Sequence, residues 1–154
     1  MSSASATAVP AEREGALRGL RVRDAMVRQP KVLGASASIA DVRRLFRDEH
    51  VHLALLVEAG RLVSAIERAD LAASDPAGKA ASSVGSVAGR SVAPDTPLRI
   101  AAESLACIGR RRLAVVDASG QLLGLLCLKA SGKGFCSEDD VRERRESRPA
   151  ELRS

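Results

Sequence analysis

The stretch Leu53-Ala-Leu-Leu-Val-Glu-Ala-Gly-Arg-Leu-Val-Ser-Ala-Ile66 decides the fold of this chain. It contains two short apolar runs, residues 53–57 and 62–66, on either side of Glu58-Ala-Gly60. Apolar runs of this length that are bounded by a glycine turn are typical of β-strands. The stretch therefore predicts two strands joined by a turn.

A short helix is predicted directly before this stretch. The apolar residues between Ile39 and Phe46 recur at helical spacing on one face, and Ser38 offers an N-cap oxygen. The helix is expected over residues 38–49. Because a brief strand candidate at residues 31–33 precedes it, the first half of the chain has the order strand, helix, strand, turn, strand.

The same order occurs a second time in the run SVAPDTPLRIAAESLACIGRRRLAVVDASGQLLGLL, residues 91–126. It contains a strand candidate, a helix expected over residues 97–108 with Asp95 or Thr96 as its N-cap, and two apolar runs about a turn. When the two halves of the chain are aligned, Val57 in the first half corresponds to Val116 in the second, an offset of 59 residues. The chain is therefore predicted to be a tandem repeat in which these two residues lie on equivalent buried strands.

Composition excludes several classes of partner. The chain has 154 residues, 45% hydrophobic and 28% charged, which is typical of a globular protein with a buried core. It has two Phe and no Tyr or Trp, so it lacks the rings on which single-stranded nucleic acids stack. The net charge of +5 is scattered and no nucleic-acid-binding motif is present, so no nucleic-acid partner is expected. No membrane partner is expected either, because the longest apolar stretch is far below the roughly 20 residues of a membrane helix.

Catalysis and metal binding are not indicated by the sequence. His50 and His52 have no third ligand nearby and are expected at a junction between helix and strand. An odd number of cysteines without a C-x-x-C pair predicts neither a disulfide framework nor a zinc site, and the cytoplasm is the expected compartment. Cys107 and Cys127 are expected to be buried, whereas Cys136 could be exposed and redox-sensitive. Since no nucleophile–base pair is visible, the chain is not expected to be an enzyme.

Two basic segments are candidates for anion binding. Arg110-Arg-Arg112, between a helix and a strand, could hold a phosphate, but a solvated loop is favoured. Lys129 and Lys133 lie in the segment LKASGKGF, whose glycines could let backbone N–H groups approach an anion. Because the full phosphate-loop pattern is absent, a plain flexible connection is favoured there.

The repeated order and the residues that fill it resemble a known family. The segment from Val22-Arg-Asp-Ala-Met26 through LALLVEAGRLVSAIERADL resembles a cystathionine-β-synthase-type (CBS) domain, and residues 91–126 resemble a second copy. The resemblance covers about residues 20–130. It implies an α+β fold in which two β-α-β-β-α CBS repeats pack as a pseudo-two-fold pair. Such pairs are not enzymes, commonly dimerise, and bind adenine nucleotides or S-adenosyl methionine in clefts between the repeats.

The resemblance also implies ligand-binding residues. In the family, a Thr or Ser near a phosphate is followed three residues later by an Asp at the ribose hydroxyls. These positions are Glu67 and Asp70 in the first repeat, and Cys127 and Ala130, which cannot bind ribose in this way, in the second. A carboxylate can accept both ribose O–H groups, so Asp70 is expected either to hold the ribose or to cap the short helix that begins there. Apolar strand residues are expected to hold the adenine, namely Ile66, Leu33, Val57 and Val116.

The charge of Glu67 bears on the kind of ligand. Its carboxylate would repel a phosphate, so an adenosine-like or cationic adenosyl ligand is expected to suit this position better than a polyphosphate.

The sequence thus predicts a regulatory module in five parts. These are a mobile arm at 1–19, a first CBS repeat at 20–75, a linker at 76–83, a second repeat at 84–136 and a polar helical tail at 137–154. The expected function is that of a stand-alone CBS pair, cytoplasmic and homodimeric, with no cofactor and no metal. It would bind a ligand of the AMP, ATP or S-adenosyl methionine class and relay this to an unknown protein partner. The alternative is a degenerate pair without ligand that acts as a dimerisation or protein-interaction scaffold.

Overall fold

The computed structural model describes residues 19–129 and 134–136. Its helices and strands, in chain order, are α1 (Val22–Ala25), β1 (Leu33–Gly34), α2 (Ile39–Leu45), β2 (Ala54–Glu58), β3 (Arg61–Ile66), β4 (Ser91–Val92), α3 (Leu98–Ile108), β5 (Arg112–Val116) and β6 (Leu122–Cys127). Single turns of 3-10 helix lie at Arg68–Asp70 and Ala81–Ser83. The predicted arm up to residue 18 and the predicted helix at 137–154 lie outside the described residues. Within the described part of the chain, no helix combines the length and apolar character that a membrane crossing requires.

Two three-stranded sheets have the same topology, which confirms the α+β class and the internal repeat. In each sheet the short first strand runs parallel to the second, and the second runs antiparallel to the third. Both hairpins shift register at matching places, between Leu56 and Val57 in one and between Val115 and Val116 in the other. Val57 and Val116 therefore occupy equivalent positions, where each is half-buried.

The two longer helices begin in different ways. Ser38 caps α2 as predicted, since its Oγ accepts the Asp41 N–H over 3.3 Å and Asp41 Oδ2 accepts the Ser38 N–H over 2.9 Å. The prediction of Asp95 or Thr96 as the cap of α3 is wrong. That helix follows Pro97 without a side-chain cap, because its first N–H donates to a backbone carbonyl from the start of the chain.

Each repeat is completed by a segment that precedes the other repeat. Val22 is fully buried in the core of the second repeat, whereas Ala81 is fully buried in the core of the first. The first N–H of α3 donates to the Leu20 carbonyl and that of α2 donates to the Lys79 carbonyl, each over 2.9 Å. The segment 76–83 is therefore packed into the first repeat along part of its length.

The two sheets meet around a pseudo-two-fold axis. Leu62 N–H donates to Gly120 O over 3.0 Å, and Leu122 N–H donates to Gly60 O over 2.9 Å, so the two turns are joined reciprocally. The sheets also share one apolar cluster, whose buried members are Leu53, Leu55, Leu62, Ala65 and Ala114. Burial of this cluster fixes the repeats against each other and leaves a cleft between them at the opposite end of the strands.

The cysteines differ from prediction in two of three cases. Cys136 is buried and forms a disulfide with Cys127, which is buried as expected. Cys107 is free and exposed, because it lies on the face of α3 opposite the buried Leu105. Sequence spacing could not reveal the pairing, since it depends on the packing of the segment 134–136 beside the end of β6.

Candidate functional site

A cleft of about 220 Å³ lies between the two repeats. The first repeat contributes residues from the start of β2 and the end of β3, and the second contributes the junction between α3 and β5. These residues are His52, Leu53, Glu67, Arg68, Gly109, Arg110, Arg111 and Arg112. One acidic residue and four arginines are among them, so the cleft has an excess of positive charge around it and favours an anion.

Glu67 and Asp70 are placed by the end of β3. The strand ends at Ile66, and a single 3-10 turn follows in which Asp70 Oδ2 accepts the Glu67 N–H over 2.8 Å. This bond folds the Asp70 side chain back towards the strand end. Both carboxylates consequently face the second repeat from neighbouring positions.

Arg90, which immediately precedes β4, joins these carboxylates across the repeats. Its guanidinium lies 2.6 Å from Asp70 Oδ2 and 3.1 Å from Oδ1, and 3.2 Å from Glu67 Oε1. It also donates to the Ala65 carbonyl over 2.8 Å. Since only 12% of the Arg90 side chain is exposed, these charge-assisted bonds are largely shielded from water.

Arg110 completes the network from the other side of the cleft. Helix α3 ends at Ile108. The φ of the following Gly109 is +70°, which is left-handed, and this turn brings Arg110 to the cleft. Arg110 Nε lies 2.7 Å from Glu67 Oε2, and its NH1 group donates to the Gly89 carbonyl over 3.1 Å. The negative charge of Glu67 is therefore balanced by two guanidinium groups, Arg90 and Arg110, which offsets the repulsion towards phosphate that the sequence alone suggests.

The network keeps Asp70 ionised. Burial alone would raise the pKa of Asp70, but the hydrogen bonds from Arg90 and from the Glu67 backbone, with the charges of Arg90 and Arg110, outweigh it and lower the pKa below its usual value. An ionised Asp70 has the acceptor capacity that ribose hydroxyls require, although Arg90 now occupies both of its oxygens.

His52 is held neutral at the base of the cleft. Burial, and after it the charges of Arg112, Arg111 and Arg68, together lower its pKa to about 4. Its Nε2 lies 2.9 Å from Arg111 NH2, and because a guanidinium can only donate, the imidazole nitrogen is the acceptor. His52 and Arg111 correspond at the 59-residue offset, so this contact sits at the pseudo-two-fold axis.

Arg68 and Arg112 serve mainly as structural donors. Arg68 donates to the carbonyls of Phe46, Asp48 and Val51 over 2.7 to 2.9 Å and so organises the junction between α2 and β2. Arg112 is buried, with 8% exposed. The interpretation of the Arg110–Arg112 run as a solvated loop is wrong, because all three residues line the cleft and Arg112 is buried.

The structure separates the sequence-predicted site residues into two groups. Glu67 and Asp70 lie together in the network. Ile66 is fully buried in the core of the first repeat, and Leu33 packs against the same core. Val57 and Val116 lie near the turns at the far end of their strands and pack in the cluster between the sheets.

Sequence reasoning missed Arg90, which makes the most contacts with the two carboxylates. One signal was available, because the 59-residue offset aligns Arg90 with Lys31 and so places a cation before the first strand of each repeat. The contact itself spans 20 residues of chain and depends on how the repeats pack.

Comparisons with known proteins agree with this architecture. Residues 22–76 match the CBS domain family. Among solved structures, CBSX2 in complex with AMP is 29% identical, with 71% of this chain and 90% of that chain covered and a TM-score of 0.61. The CBS domain protein PAE2072 from Pyrobaculum aerophilum, complexed with AMP, is 22% identical, with 73% and 95% covered and a TM-score of 0.60. No curated protein matches the chain.

A third similar structure holds a different adenosyl ligand. The CBS domain pair of protein MJ0100, in complex with 5′-methylthioadenosine and S-adenosyl-L-methionine, is 18% identical, with 80% and 93% covered and a TM-score of 0.56.

Proposed function

We propose that this chain, which carries a CBS domain at residues 22–76 and has the fold of a CBS-domain pair, is a regulatory module that binds an anionic adenosyl ligand of the AMP class. The observation that carries the proposal is the positively charged cleft between the repeats, whose lining residue Glu67 is joined through Arg90 to Asp70. Similar structures hold AMP in two cases and S-adenosyl methionine in another. The excess of guanidinium groups favours AMP over the cationic or neutral ligands expected from Glu67 alone.

In this proposal each side of the cleft recognises one part of the ligand. Arg110 and Arg111, on the loop after α3, supply donors for the phosphate. Asp70 accepts from the ribose hydroxyls after Arg90 releases one or both of its oxygens. Ligand binding thus competes with the Arg90–Asp70 contact, which joins the two repeats. A ligand that favours the released state shifts the relative setting of the repeats, and that difference is what a protein partner could sense.

The proposal is tested by calorimetric titration and thermal shift with AMP, ATP, adenosine and S-adenosyl methionine. AMP at about 100 times its dissociation constant should stabilise the protein by roughly 2.7 kcal/mol. Asp70→Asn and Arg110→Gln should each weaken AMP binding at least tenfold, and adenosine should bind more weakly than AMP. Arg99→Gln is the matched control, since Arg99 lies on α3 outside the cleft lining and pairs with Glu103 on the same helix. Equal affinity for AMP and adenosine would contradict the proposed role of Arg110 and Arg111 in binding the phosphate.

A second candidate function is a ligand-free scaffold, and the occupied carboxylates favour it. Glu67 and Asp70 already have guanidinium partners, so the network can serve to hold the repeats together without a ligand. The scaffold would present the paired repeats to a second copy or to another protein in the cytoplasm. No thermal shift at millimolar concentrations of any of the four ligands, with a dimer in analytical ultracentrifugation, would favour this function.

A further inference from the structure

Cys127 and Cys136 form a chemical site that the proposed function does not use. Their Cα atoms are 5.4 Å apart, a distance that a disulfide commonly spans, and the residues are nine positions apart in sequence. The Cys136 N–H also donates to the Cys127 carbonyl over 2.7 Å. This backbone hydrogen bond does not depend on the sulfurs, so it helps to hold the two cysteines side by side when the disulfide is open.

A buried cation faces Cys127 across the sheet. The β5–β6 ladder pairs Cys127 directly with Arg112, whose side chain is buried. Residues paired in this way have Cβ atoms about 4.5–5.5 Å apart and point to the same face of the sheet. A nearby guanidinium favours the thiolate over the thiol, and the thiolate is the nucleophile of thiol–disulfide exchange. Cys127 therefore has an environment suited to thiol–disulfide exchange.

The core of the second repeat does not depend on the bond. Its buried members come from α1, α3, β5 and β6 together with Leu128, and Cys136 is not among them. Phe135 packs against this core and forms a β-bridge with Leu128, which keeps the segment 134–136 in place beside β6. Both the oxidised and the reduced pair are thus compatible with a folded repeat.

We propose that Cys127 and Cys136 are a reversible redox site that exchanges with a dithiol. One thiolate of the dithiol attacks one sulfur of the pair, forming a mixed disulfide and releasing the other cysteine as a thiolate. The second thiol of the reductant then displaces the first cysteine. The reductant leaves as a cyclic disulfide, and the protein has gained two electrons and two protons. In reducing compartments, disulfides of mesophilic proteins are usually transient and catalytic or redox-sensing, which agrees with a switching role in a chain predicted to be cytoplasmic.

The test counts thiols at defined redox ratios. Native protein is equilibrated with mixtures of reduced and oxidised dithiothreitol, quenched in acid, unfolded, alkylated with N-ethylmaleimide and weighed by intact mass spectrometry. The exposed Cys107 is an internal control, because it is free in the structure. We expect one adduct in the oxidised mixture and three in the reduced mixture, with few molecules carrying two. Removal of the reductant in air should restore the form with one adduct.

Matched variants separate the pair from the third cysteine. Cys136→Ser, which leaves the core intact, should carry two adducts at every ratio, whereas Cys107→Ser should change from none to two. Hydrogen exchange of β6 should show that its amides stay protected in the reduced protein. Three adducts in the fully oxidised mixture, one adduct in the fully reduced mixture, or loss of β6 protection on reduction would each overturn the proposal. None of these readouts involves an adenosyl ligand.

Discussion

Removal of the Arg90 guanidinium should loosen the junction between the two repeats more than any change to a surface ion pair. In Arg90→Met the side chain keeps its length and its apolar part, but two carboxylates lose a shared donor. Asp70 loses both of its contacts to Arg90, and Glu67 keeps only Arg110. The Ala65 carbonyl also loses a donor.

The expected loss is about 2–3 kcal/mol of unfolding free energy. A hydrogen bond to a charged group contributes about 1.5–3 kcal/mol, and the breaking of a fully buried pair costs about 3–5 kcal/mol. The Arg90 side chain is 12% exposed and those of Asp70 and Glu67 are 19% and 23% exposed, so the site lies between a surface pair and a fully buried one. For a domain of this size the loss corresponds to a fall in Tm of roughly 4–12 °C.

A double-mutant cycle in urea isolates the pair from the loss of either side chain. The cycle combines Arg90→Met with Asp70→Asn and should give a coupling free energy of about 1.5 kcal/mol or more. The control cycle uses Arg99 and Glu103, an exposed pair on α3 whose expected coupling is about 0.3–0.5 kcal/mol. A coupling of Arg90 with Asp70 no larger than that of the control pair would refute the conclusion that this network fixes the repeats against each other.

Three further predictions concern acid, packing and the disulfide. Because the pKa of Asp70 is lowered in the folded protein, its contribution to stability is present above about pH 4 and is lost as the pH falls further. The unfolding free energies of Asp70→Asn and of the natural protein, measured in urea, should therefore differ less at pH 3 than at pH 7. A Cβ at Gly85 would lie 2.7 Å from a backbone carbonyl of β3, so Gly85→Ala should lower the unfolding free energy by about 1–3 kcal/mol. A Cβ at Gly34 would have nothing within 4 Å, so Gly34→Ala should show no such loss of unfolding free energy in the same denaturation assay. Closure of the loop between Cys127 and Cys136 should stabilise the oxidised protein by about 2–3 kcal/mol, and equal Tm values with and without reductant would contradict this.

Local pattern was sufficient for most of the fold. The alternation of apolar runs about Gly60 and Gly120 gave both hairpins to within a residue or two, because a strand with one face in the core requires that pattern wherever it lies. The cap of α2 was equally local, since Ser38 and Asp41 are three residues apart. The sequence did not predict that the segment before each repeat packs on the other repeat. The contacts that hold these segments include hydrogen bonds to backbone carbonyls such as Lys79 O, and every residue type has such a carbonyl.

The candidate site shows the same division. Glu67 and Asp70 follow from the repeat order and from a resemblance, and both are local to the end of β3. Their partners are not local, since Arg90 lies 20 residues from Asp70 and Arg110 lies 43 residues from Glu67. The sequence shows how many charged residues there are but not which of them pair. The expected repulsion between Glu67 and a phosphate is therefore correct for the isolated side chain, but in the folded protein the two arginines offset it.

The pseudo-two-fold axis predicts a second cleft at the position equivalent to the first, with different residues in it. The second cleft should contain His50 and Leu128, the counterparts of Gly109 and Arg68. Arg112 reaches into this position, since its guanidinium lies 3.5 Å from the carbonyl oxygens of both residues. Cys127 takes the place of Glu67 there and forms a disulfide with Cys136. Since a buried guanidinium already occupies the acceptors of the second cleft, a ligand that binds this chain should do so with a stoichiometry of one per chain, through the first cleft.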